Sequence, residues 1–152
     1  MTIDDLVKVG FLPSGSWRRD ADRGVTCGDK IPDESGVYLF VRQGRVEYVG
    51  SALKSLSRRM RSYERRQRAH DVSRLVHREL AKAIGASEKV EVYVRSIPSG
   101  ERIAWNGLPV SVLLGVEAAL IAVVDPPWNS RGRMSQADIA PDSGDEDGAT
   151  TA

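Results

Sequence analysis

Glu117 sits where a carboxylate is least expected. Leu113, Leu114, Leu120 and Ile121 occupy positions i−4, i−3, i+3 and i+4 around it, so a helix through this stretch places the acid inside an apolar stripe. A buried, unpaired charge is strongly unfavourable, so Glu117 requires a compensating partner. Two are open: a guanidinium from one of the many arginines, or a divalent cation. Tyr38 and Tyr48 form a second candidate group. Each stands on a β-rich run, and a tight hairpin brings them to one face, either as packing aromatics or as a pair of phenols available for hydrogen bonding. The third is basic: Lys54, Arg58, Arg59, Arg61, Arg65, Arg66 and Arg68 are opposed by Glu64 alone within fifteen residues. That density suits a polyanion, the alternative being a solvated helix face.

These residues need elements to position them. Gly36-Val-Tyr-Leu-Phe-Val and Arg45-Val-Glu-Tyr-Val, joined at Arg42-Gln43-Gly44, predict two antiparallel strands. Leu53, Leu56, Met60 and Tyr63 recur at helical spacing and predict a helix whose other faces carry the arginines. A second helix follows, with Val72, Leu75, Val76, Leu80, Ala83 and Ile84 inward and Gly85 as its stop. Val90, Val92 and Val94 alternate in a third strand over 89–97, ended by Pro98. Ser99 to Pro109 reads as a loop with an Asn106-Gly107 turn and a core-capping Trp105. Ser111 is the expected N-cap of a helix running to about Val124, before Asp125-Pro126-Pro127. Upstream, Ile3 to Val9 predicts a short helix. Residues 11–33 are interrupted by Gly, Pro and Asp, although Trp17 and Val25-Thr26-Cys27 suit short strands.

Composition bounds the class. A chain of 152 residues fits one folded domain with a modest core. Cys27 is the single cysteine, which excludes an internal disulfide and suits a bystander thiol in a reducing, cytoplasmic setting. Met1-Thr-Ile-Asp-Asp is acidic where a secretory leader is basic, and no apolar run is long enough to cross a membrane, so a soluble protein is expected. The net charge of +1 hides a division, because residues 135–152 carry five acids and no base, leaving +6 on residues 1–134. The expected organisation is a lead-in with a short helix over 1–35, a domain over 36–133, and a disordered acidic tail over 134–152. His70 and His77 are expected to be solvated or helix-flanking.

The order of these pieces resembles one family. Gly36-Val37-Tyr38, a spacer of nine residues, and Tyr48-Val49-Gly50 are similar to the paired motif of the GIY-YIG nucleases, with a spacer about one residue shorter than common. Ser51 to Tyr63 resembles the family's arginine-bearing helix, and alignment of Leu56 and Met60 places that arginine at Arg59 rather than Arg58. Glu117 to Asn129 resembles the element that carries the family's metal-binding glutamate and a following asparagine. The resemblance spans Gly36 to Arg133. It implies an α+β fold with a small central, mostly antiparallel three-stranded sheet flanked by helices.

It also implies a metal-dependent DNA endonuclease that hydrolyses phosphodiester bonds, with structured or damaged DNA and DNA repair among the roles open to it. On this reading the catalytic residues are Tyr38, Tyr48, Arg59, Tyr63, Glu117 and Asn129. Glu117 holds Mg²⁺ or Mn²⁺, Tyr48 is the general base, and Tyr38 orients the water or the phosphate. Arg59 presents a fork to the scissile phosphate, Tyr63 adds a hydrogen bond to phosphate, and Asn129 fixes the site. Arg58, Arg61, Arg65, Arg66 and Arg68 hold the DNA backbone. Ser51 replaces a lysine often found in the excision-repair branch, so that position lends repair no support. The alternative is a catalytically silent nucleic-acid-binding module on the same fold, and a homodimer is also open.

Overall fold

The computed structural model describes residues 1–22, 24–28, 30–64 and 71–132. The acidic tail lies outside the described residues, as do Arg65, Arg66, Arg68 and His70. The elements run α1 (Ile3–Lys8), β1 (Leu12–Asp20), β2 (Gly24–Thr26), β3 (Gly36–Arg42), β4 (Arg45–Ala52), α2 (Leu56–Glu64), α3 (Asp71–Gly85), β5 (Val90–Ser96), β6 (Arg102–Trp105), β7 (Leu108–Ser111), α4 (Val112–Val124) and α5 (Pro127–Gly132). The fold is α+β with helices flanking an antiparallel sheet, as expected. No helix among the described residues is long and apolar enough to cross a membrane.

The sheet has five strands, in the order β2-β1-β5-β3-β4, rather than the expected three. The two additional strands come from the irregular stretch before Gly36. β1 pairs with β5 from Leu12↔Val94 to Trp17↔Val90, with a register shift between Pro13 and Gly15. That shift accommodates the proline and glycine that obscured the strand pattern. β2 pairs only with Arg18 to Asp20 of β1, while buried Val25 and Trp17 tie both strands to the core.

β3 is covered on both faces, and alternation divides its side chains between two cores. Tyr38 and Phe40 join Trp17, Tyr48, Leu56, Met60, Tyr63, Leu80 and Trp128 beneath α2, α3 and α5. Val37, Leu39 and Val41 join Leu6, Phe11, Val49, Leu113 and Leu120 beneath α1 and α4. β4 is an edge strand, so its outward backbone groups need partners from outside the sheet.

α2 begins at Leu56, leaving Leu53 exposed. Its start is set across the fold: Leu56 N–H donates to the Glu34 carbonyl at 2.7 Å and Ser57 N–H to the Pro32 carbonyl at 3.0 Å, while Ser55 Oγ accepts from Arg58 N–H at 3.1 Å. These bonds satisfy the free N–H groups of the first turn. The expected 99–109 loop is largely a hairpin, with β6 and β7 paired through Asn106-Gly107, both at positive φ. Trp105 is 65% exposed rather than capping the core.

Candidate active site

Tyr38 on β3 pairs with Gly50 on β4, and Tyr48 pairs with Phe40, so Tyr38 and Tyr48 share the face turned toward α2. Their ring centroids are 6.2 Å apart. Tyr63, near the end of α2, meets both rings at 6.1 Å and 6.2 Å. The three hydroxyls form a chain. Arg59 Nε–H donates to Tyr38 Oη at 3.2 Å, Tyr38 Oη is hydrogen-bonded to Tyr63 Oη, and Tyr63 Oη donates to Tyr48 Oη at 3.4 Å. Because Tyr63 spends its proton on Tyr48, the Tyr38–Tyr63 proton comes from Tyr38. The chain therefore runs from the guanidinium to Tyr48, the one phenol whose own proton is uncommitted among the described residues.

Burial sets the protonation of this group. Desolvation pushes the phenol pKa of Tyr38 well up, with neighbouring Tyr48 adding and Arg59 opposing. Tyr63 moves the same way, first from burial and then from Tyr38 and Tyr48. Both stay neutral phenols at ordinary pH and serve as hydrogen-bond carriers. Burial works against the charge of Arg59, but the Tyr38 and Tyr63 oxygens outweigh it and hold the guanidinium charged. The guanidinium also lies 5.1 Å over the Tyr63 ring. Tyr38 and Tyr63 are fully buried, so the Tyr63 hydroxyl is used inside the group.

Gly50 has a role its sequence position did not show. A Cβ there would collide with the Tyr38 phenol, so the missing side chain makes the room in which that hydroxyl sits. The next residue turns to the other face of β4. There Ser51 Oγ donates to Glu117 Oε1 at 2.8 Å. Glu117 projects from α4 beside Leu113 and Leu120, half-buried, and makes no ion pair among the described residues. Thus the tyrosine group and the carboxylate approach adjacent residues, Gly50 and Ser51, from the two faces of one edge strand.

Asn129 on α5 acts on the same strand. Its Oδ1 accepts Val49 N–H at 2.8 Å and its Nδ2 donates to the Val49 carbonyl at 2.9 Å. One side-chain amide thereby closes the outward backbone pair of β4 between Tyr48 and Gly50, as a sixth strand would. Arg58 and Arg61 are exposed on α2. His77, expected to be solvated, is buried, and its Nδ1 is 2.6 Å from the Tyr63 carbonyl. Its place three residues before inward-facing Leu80 was the available signal. Ser51, read from sequence only as a departure from the family, contacts the key acid directly.

Glu117 is the candidate carboxylate for a cation, and no cluster of three or more His, Cys, Asp or Glu ligands exists among the described residues. One carboxylate oxygen is held by Ser51 and the other faces no arginine, a hard-oxygen donor that suits Mg²⁺ or Mn²⁺ with water and phosphate oxygens completing the shell.

No family model and no curated protein sequence matches the chain. Solved structures do. A mutant of bacteriophage T4 EndoII is similar over 84% of this chain and 97% of its own, with a TM-score of 0.64 and 16% identity. The GIY-YIG N-terminal endonuclease domain of UvrC from Thermotoga maritima, bound to magnesium, shares 26% identity over 64% of this chain and 85% of its own at a TM-score of 0.41. Restriction endonuclease HPY188I in complex with product DNA covers 90% of this chain and 85% of its own at 0.49 and 15% identity. The likeness to EndoII defines the class, an α+β nuclease fold. With Gly36-Val37-Tyr38 and Tyr48-Val49-Gly50 paired on its two neighbouring strands, it is the GIY-YIG nuclease fold.

Proposed function

We propose that this protein is a divalent-metal-dependent DNA endonuclease. The observation that carries this reading is the convergence on one edge strand of a guanidinium-anchored phenol chain and a half-buried carboxylate without an arginine partner. Phosphodiester hydrolysis needs a water relieved of its proton and positive charge against the phosphate. Tyr48 is the residue for the first task, since its oxygen receives a hydrogen bond from the buried chain and its proton is uncommitted. Tyr38 relays the influence of Arg59 into that chain, and Arg59 retains N–H donors beyond Nε for the phosphate. Asn129 and Gly50 are positioning residues, the first fixing β4 and the second making room for the Tyr38 hydroxyl. Glu117 would hold Mg²⁺ or Mn²⁺, which when bound supplies positive charge at the phosphate oxygens.

Arg58 and Arg61 are the described members of the basic set that would grip the DNA backbone without reading sequence. Structured or damaged DNA in the cytoplasm is the proposed substrate, with repair one of the roles it would serve. Pairing of two copies belongs to the same reading and is supported by the outward side of α4, where exposed Leu114, Gly115, Ala118, Ala119, Ala122 and Val123 include no polar residue. A cleavage panel over duplex, single-stranded, flap and four-way DNA, with Mg²⁺, Mn²⁺ or chelator, tests the proposal. Metal-dependent product from at least one substrate is expected. Binding with no product in any condition would favour the catalytically silent module.

A further inference from the structure

A cleft of about 620 Å³ opens between α2 and the end of the sheet formed by β1 and β2. Three guanidiniums line it: Arg18 from β1, and Arg58 and Arg61 one turn apart on α2. Asp20, Asp33 and Glu64 line it too, so formal charge alone does not decide what it binds. Hydrogen bonding does. The acids already have partners: Glu64 Oε2 accepts from Thr26 Oγ1 at 2.7 Å, Asp33 Oδ1 from the Ser55 hydroxyl and from Ser57 Oγ at 3.5 Å, and Asp20 Oδ1 from Asp22 N–H at 2.8 Å. The guanidiniums do not. Among the described residues, none of Arg18, Arg58 and Arg61 makes an ion pair or a side-chain hydrogen bond. Each carries five N–H donors, so the cleft presents many donors and few free acceptors, the complement of an oxyanion.

Its position adds a direction. Within one stretch of α2, Arg59 turns toward the Tyr38 hydroxyl while Arg58 and Arg61 turn toward the cleft. The helix therefore divides one guanidinium at the phenols from two facing away from them, and Arg18 opposes those two across a floor that includes Ile31 and Met60.

We infer that this cleft is a phosphate-holding subsite, in which Arg18 on one wall and Arg58 and Arg61 on the other clasp a phosphate of the nucleic-acid strand away from the cut bond. The inference takes its ligand from the endonuclease reading and is independent of turnover. The phosphate is either an internal phosphodiester or a strand-terminal monoester, and both offer the same oxygens.

Fluorescence anisotropy in chelator tests it, with labelled single-stranded and duplex oligonucleotides, with and without a 5′-phosphate, titrated over a range of salt. Arg18→Gln and Arg61→Gln, both at exposed positions, are each expected to weaken binding about threefold to tenfold and to lower the salt slope by about one. Arg45→Gln, at the exposed start of β4, should bind as the parent does. Loss on both kinds of oligonucleotide assigns the cleft to internal backbone, and loss confined to the phosphorylated one assigns it to a strand end. Unchanged affinity and salt slope in both variants would overturn the inference. Because no metal is present, that result is separable from a failure of the cleavage reading, which is judged by product alone.

Discussion

The side chain of Arg59 donates from Nε to the hydroxyl of Tyr38 at 3.2 Å, in the interior of the protein. This bond joins the basic helix to the β3–β4 hairpin and gives the three phenols a single direction of hydrogen bonding. Removing the hydroxyl therefore removes an acceptor for Arg59 and a donor to Tyr63 together. Tyr38→Phe is expected to lower the single-turnover cleavage rate by about 10²-fold or more while leaving DNA affinity within about twofold. A rate equal to that of the parent would show that the chain has no part in the chemistry.

Gly50→Ala should act on the same bond from the other side. The added methyl meets the Tyr38 phenol, which must move away from Arg59 or drive β4 outward. Overpacking of this kind costs about 1–3 kcal/mol, seen as a lower melting temperature, and cleavage should fall with the displaced hydroxyl. Parental melting and parental cleavage in this variant would contradict the packing described here.

The buried phenols make a prediction about alkaline stability. Tyr38 and Tyr63 have pKa values raised above the model value of 10.0 in the folded state, so unfolding permits ionisation that folding suppresses. Their contribution is fully present below pH 10 and is lost as pH rises from there toward the folded values. Melting temperature should stay level with respect to these groups through neutral pH and fall above about pH 10, with a shallower fall in Tyr63→Phe. A thermal-melt series from pH 7 to 11 reads both slopes.

Much of this arrangement was visible in residue order. Alternation in β3 and β5, the arginine helix and the capped α4 each carry a local signature, and Glu117 announced itself by its leucine neighbours. What escaped depends on contacts made across the fold. β1 is interrupted by Pro13 and Gly15, and its identity as a strand comes from β5 rather than from its own pattern. α2 starts at Leu56 because the carbonyls of Pro32 and Glu34 receive its first N–H groups, and nothing near Leu53 encodes that. β6 and β7 are mostly exposed, so neither strand shows the half-buried alternation by which strands are recognised. Arg18 lay outside every motif, and only the packing of β1 beside α2 brings it to face Arg58 and Arg61.

Glu117 offers the most direct measurement. Cleavage by Glu117→Ala, assayed beside the parent protein in Mg²⁺ on the substrate the parent cuts best, should fall to the level seen in chelator, with DNA retention largely intact. Cutting by the variant at the parental rate would contradict the assignment of the metal to this carboxylate and, with it, the account of the site.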